Sequence, residues 1–151
     1  MPPYPGFRYE ASGLNYVYLT EIEPSGDGET TLPGINVLHD LIAEALIRAP
    51  GSLDAQEVKY LRAHLGLELG ELAIPLKMKS TQVRDVENGR RCLNAPQNMS
   101  LRYLVFSRLR ITPPPQRSLF MLCGAFQLEG RRIRIAGTDG RSYRILPQDA
   151  L

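Results

Sequence analysis

The sequence predicts an α+β fold: a small N-terminal β-hairpin or meander, a central multi-helix core and a C-terminal β-hairpin. Three observations carry this expectation. Apolar residues recur at helical spacing through the middle of the chain, short apolar stretches broken by turn chemistry fill residues 8–35, and a second alternating pattern closes the sequence. Three segments follow: a β leader over 1–36, a helical domain over 37–111 and an extension over 116–151.

Residues 16–19 (Tyr-Val-Tyr-Leu) read as a strand, Ser25-Gly26-Asp27-Gly28 as a turn, and residues 30–35 as a partner strand. A pair that short needs other apolar surface to be stable. Val37, Leu38, Leu41, Ile42, Ala45 and Leu46 then repeat at helical spacing, with Asn36 as the expected N-cap and Pro50-Gly51 as the stop. The next helix starts at Ser52 or Asp54, carries Val58, Leu61 and Leu65 along one stripe, and ends at Gly66. Residues 68–76 make a short helix that Pro75 should kink or shorten. Residues 80–88 make another, with Ser80 as cap, Val83 and Val86 inward, and Gly89 ending it.

Two short helices about a tight connection are what a helix-turn-helix needs. A further helix is expected over 99–109, where Leu101, Leu104, Val105 and Leu109 pack back and three prolines at 113–115 stop it. Residues 119–126 are apolar throughout and fit either a buried strand or a short helix. Residues 132–135 and 141–145, joined through Gly137-Thr138-Asp139-Gly140, read as a terminal hairpin with a basic face.

The composition narrows the function. With 43% hydrophobic and 23% charged residues over 151 positions, the chain can bury a core. It has neither an apolar run long enough to span a bilayer nor the layout of a signal peptide, so a cytoplasmic protein without membrane association is expected. Cys92 and Cys123 stand far apart with no ligand-spaced neighbour, and His39 and His64 lack partners at ligand spacing. No metal and no cofactor are therefore expected, and the cysteines read as packing residues. Catalytic residues are not expected either, because the sequence holds no nucleophile elbow, phosphate loop or paired-histidine motif.

The net charge of +2 conceals an uneven distribution. Residues 1–50 carry two bases and seven acids, residues 51–97 seven and six, and residues 98–151 nine and three. Only part of such a molecule can face a polyanion, because phosphate contact depends on clustered Lys and Arg rather than on total charge.

From Leu61 onward, the order Leu65-Gly66-Leu67, Glu71-Leu72-Ala73, Leu76, Val83, Glu87-Asn88-Gly89 resembles the lambda-repressor-like (XRE) family of helix-turn-helix regulators. A leader running from Tyr9 through Gly13-Leu14-Asn15-Tyr16 to Leu19, followed by Leu38-His39 and Ile42-Ala43, resembles regulators related to the MqsA-type antitoxins. Together the two cover roughly residues 8–90. The zinc-binding cysteines of the MqsA group are absent, so its metal site is not carried over. Lys77 stands where the family has a turn glycine, Val86 where it has an aromatic residue, and Asp85 where a basic residue is common.

The resemblance implies a transcriptional regulator that binds double-stranded DNA, with the second helix of the pair in the major groove. Ser80, Thr81, Gln82, Arg84 and Asp85 would then face bases: Gln82 suits adenine and Arg84 guanine, while Lys77, Lys79, Arg90 and Arg91 suit phosphates. Glu87 is expected to be structural, bonding Arg62 or a helix end. One module reads few base pairs, so a homodimer is expected, acting as a repressor of its own operon. The alternative is a degenerate helix-turn-helix that serves as an adaptor for a protein partner such as a toxin, for which Pro75, Lys77 and Asp85 speak.

Overall fold

The computed structural model describes residues 7–8, 14, 17–20, 35–123, 133–137 and 143–145. Its helices are α1 (Ile35–Arg48), α2 (Ala55–Leu65), α3 (Leu69–Leu76), α4 (Ser80–Glu87), α5 (Ala95–Leu109) and α6 (Gln116–Cys123). Its short strands are β1 (Phe7–Arg8), β2 (Val17–Thr20), β3 (Ile133–Gly137) and β4 (Tyr143–Ile145). The chain divides into two compact units, Met1–Ala45 with Gly130–Leu151, and Leu46–Glu129.

The expected α+β class with a hairpin at each end is corrected. The continuous described stretch, residues 35–123, is helical and contains no strand. At the N-terminal side Ile35 opens α1 instead of ending a strand, and residues 21–34, including the expected turn and the rest of the expected partner strand, lie outside the described residues. Both edges of β2 are already occupied, antiparallel by β1 (Phe7 opposite Leu19) and parallel by β3 (Val17 opposite Ile133). The terminal strands are not an independent hairpin either. β3 pairs antiparallel with β4 (Ile135 opposite Ile145) and lends its other edge to β2, giving the order β1-β2-β3-β4. Turn chemistry reports only local pairing, and a parallel partner more than a hundred residues away leaves no trace in it.

Several helix boundaries shift for readable reasons. α1 begins one residue before its expected cap Asn36. α5 begins at Ala95 rather than 99, because Asn94 caps it: Asn94 Oδ1 accepts from Gln97 N at 2.9 Å and Gln97 Oε1 from Asn94 N at 3.0 Å, with Pro96 in the first turn. It ends at Leu109, ahead of the prolines, and the carbonyl of Pro115 accepts from Leu119 N at 3.0 Å to open α6. The ambiguous apolar segment is therefore helical as far as Cys123. Cys92 is exposed rather than packed.

The unit of residues 46–129 has a core formed by α2 to α6. α3 and α4 pack on each other, α2 lies on α4 and α5, α3 also touches α5, and α6 packs on α5. Leu61, Leu72, Leu76, Val83, Val86, Leu101, Val105, Phe106 and Leu119 are buried in it, each large side chain contributing roughly 1.5–3 kcal/mol on removal from water. Among the described residues Glu57, Asn98 and Arg102 are polar and buried with them. Two of these sit one turn apart on α5 and organise the chain before α2. Asn98 Oδ1 accepts from Leu53 N at 2.9 Å while its amide nitrogen donates to Ser52 Oγ at 3.0 Å. The Arg102 guanidinium donates to the carbonyls of Ile47 at 3.0 Å, Ala49 at 2.7 Å and Gly51, so a cation occupies the negative end of α1. Among the described residues no helix is long and apolar enough to cross a membrane.

Candidate nucleic-acid interface

Three residues, 77–79, join α3 to α4, and how the chain turns there fixes what α4 presents. α3 ends when Lys77 adopts a left-handed conformation, φ 55°. Lys77 N donates to Ile74 O at 3.1 Å and Met78 N to Ala73 O at 2.9 Å, the paired bonds of a Schellman ending. Pro75 sits in the last turn of α3, and the helix ends one residue later at Leu76. α4 ends in the same manner on Gly89, φ 78°, with Gly89 N donating to Val86 O at 3.1 Å and Arg90 N to Asp85 O at 2.9 Å.

The orientation of α4 rests on two anchors. Val83 and Val86 are buried, while Glu87 reaches across to α2. Its carboxylate takes two hydrogen bonds from Arg62, Nε at 2.6 Å and Nη2 at 3.0 Å, and Arg62 Nη1 also donates to Leu67 O at 2.9 Å. The side chains of the pair are 20% and 7% exposed, which removes Glu87 from any outward role. Arg62 is held above its ordinary value, first by the hydrogen bond to Glu87 and then by the charges of Glu87 and Glu68, against an opposing effect of burial. Tyr60 and His64 stack on the same helix, ring centroids 6.0 Å apart.

With those anchors fixed, α4 turns Ser80, Thr81 and Arg84 to solvent, leaving Gln82 and Asp85 half-buried at the edges of that face. Ser80 and Arg84 are four residues apart and share one stripe, as do Thr81 and Asp85. Lys77 and Lys79 lie exposed just before the helix and Arg90 and Arg91 just after it. Among the described residues none of the cations Lys77, Lys79, Arg84, Arg90 and Arg91 makes an ion pair. The structure thus brings the nine residues singled out by sequence onto one short stretch, two cations at each end of a helix whose outer face is polar.

Gln82 departs from expectation in its bonding. Its side-chain oxygen accepts from Lys79 N at 2.9 Å, capping its own helix from inside. α2 and α5 gain a reciprocal acceptor from Asp54 and Asn94 at their N-caps, whereas the N-cap of α4 is Lys79, whose side chain has no acceptor to give.

The chain matches no protein-family model, no curated protein and no solved structure. The chemistry of the face therefore rests on its own geometry. It holds hydroxyls, an amide, cations and one acid, Asp85, and, among the described residues, no cluster of ligands for a metal ion. Sequence reasoning missed Asn98 and Arg102, which hold the entry to α2. The box Asn94-x-x-Gln97 was the signal available for the start of their helix, whereas nothing local marks an arginine as buried.

Proposed function

We propose that the chain is a DNA-binding transcriptional regulator of the lambda-repressor-like helix-turn-helix type, with α4 as the helix that enters the major groove. The observation that carries this reading is a short, firmly anchored helix with a polar outer face, flanked on both sides by exposed cations that make no ion pair among the described residues. Phosphate-binding cations must be accessible and unpaired, since contact works by releasing counterions from the duplex. The reading supplies roles: Lys77, Lys79, Arg90 and Arg91 on phosphates, Ser80, Thr81, Gln82 and Arg84 toward base edges, Asp85 at the margin, and Glu87 with Arg62 as the brace.

A protein of this kind works in the cytoplasm, as a homodimer on a palindromic operator, and represses its own operon by excluding polymerase. The test is a gel shift on the DNA upstream of its own gene against random DNA of equal length, at two salt concentrations, with Arg84→Ala alongside. Preference for the upstream fragment, lost in the variant while weak salt-sensitive binding persists, supports the assignment. Equal binding to both fragments removes autoregulation, and binding to neither removes DNA binding.

A second reading has one specific support: Ile74, on α3 next to the turn, is 77% exposed. In this reading the pair of helices holds a protein partner such as a toxin, and binding survives high salt because an apolar interface is not screened.

A further inference from the structure

Resting on the DNA-binding reading, we propose that Gln82 is a donor-only reader, so that α4 selects bases presenting acceptors in the major groove, guanine above all, and does not recognise adenine through Gln82. A glutamine reads adenine by placing its oxygen and nitrogen side by side on the base edge, accepting from N6 and donating to N7. Here the oxygen is turned back onto Lys79 N at 2.9 Å. A backbone N–H needs an acceptor, so the bond also fixes which end of the amide faces inward. The nitrogen, with two hydrogens, is the end left for a ligand.

Its neighbours on the face agree with it. Arg84, exposed and outside any ion pair among the described residues, carries donors only. Ser80 and Thr81 adapt to either partner, and Asp85, the acceptor on the face, is half-buried with its backbone carbonyl engaged by Arg90 N at 2.9 Å. Guanine offers two acceptors, N7 and O6, where adenine sets a donor beside its single acceptor. The donors of Gln82 and Arg84 therefore discriminate between the two purines. Releasing the Gln82 oxygen to read adenine would uncap α4 at the moment of binding, so the helix start and the base preference are coupled through one bond.

The experiment selects binding sites from a duplex library of random sequence, using the full chain and its Gln82→Glu variant. Glutamate at that position still accepts from Lys79 N and keeps the helix start, but presents an acceptor outward where the amide presented a donor. The expected result is guanine at the position governed by residue 82 in the wild type and cytosine, whose N4 donates, in the variant, with about a tenfold change in relative affinity between the two sites. Circular dichroism of the variant should match the wild type. Adenine selected by the wild type, or one unchanged consensus for both proteins, overturns the inference while leaving DNA binding intact. Enrichment of no sequence by either protein, with no salt-dependent binding to any duplex, overturns the DNA-binding reading itself and the inference with it.

Discussion

Lys77 adopts a left-handed backbone conformation that costs a side-chain-bearing residue roughly 1–2 kcal/mol. Replacing it with glycine should raise stability by about 1 kcal/mol in urea denaturation. If Lys77 meets a phosphate, the same variant should bind DNA more weakly and lower the slope of log affinity against log salt by about one. A variant stabilised with its salt slope intact would remove Lys77 from the interface. Gly89 is the converse case. A methyl group there meets nothing within 4 Å, so the cost of Gly89→Ala, about 1 kcal/mol, comes from φ alone.

Between α2 and α4 the Arg62–Glu87 ion pair shares the aligning with the buried Val83 and Val86. Glu87→Ala leaves the Arg62 guanidinium half-buried without its two bonds, and a loss of about 2 kcal/mol is expected, against about 1 for Glu87→Gln, which keeps an acceptor. Equal and negligible losses in both would reduce the pair to a solvated surface contact. Arg62 is raised, so its contribution is complete below the unfolded arginine value and is lost only as pH climbs through the higher folded one. Between pH 6 and 9 a titration of stability should therefore show no step from Arg62. The start of α2 is held by the box in which Asp54 Oδ1 accepts from Glu57 N at 2.8 Å and Glu57 Oε1 from Asp54 N at 2.9 Å. Asp54→Ala should cost about 1 kcal/mol.

The helices of residues 35–123 and the exposed polar face of α4 were legible in the sequence because their signals are local. Val83 and Val86 have the spacing of an inward face, Gly66 and Gly89 sit where helices end, and Lys and Arg cluster around one eight-residue helix. What could not be read were features made by distant partners. The parallel pairing of β2 with β3 joins residues 17–20 to residues 133–136, and no turn residue announces it. The end of α3 at Leu76 was read correctly, but the left-handed backbone of Lys77 had no residue signal of its own, because such a position ordinarily signals through glycine. The Gln82 oxygen looked available for a base because its competitor is a backbone N–H that any residue at position 79 except proline would supply.

At the scale of the unit formed by residues 46–129, the Arg102 side chain holds three backbone carbonyls of the segment that leads into α2. Arg102→Met preserves the volume of the stem but strands the carbonyls of Ile47, Ala49 and Gly51 in the interior, and should cost about 3 kcal/mol by denaturation. A loss below 1 kcal/mol would mean that water replaces the guanidinium. These bonds span 51 to 55 residues of sequence, and the Asn98 bonds to Leu53 and Ser52 span 45 and 46. During synthesis the ribosome releases residues 47–53 well before residue 102. Their carbonyls stay hydrated until α5 emerges, so α2, α3 and α4 leave the tunnel before the clamp that orders the chain ahead of them exists. A nascent chain stalled with Arg102 still inside the ribosome should be cut by protease near Gly51, and one stalled some thirty residues later should resist.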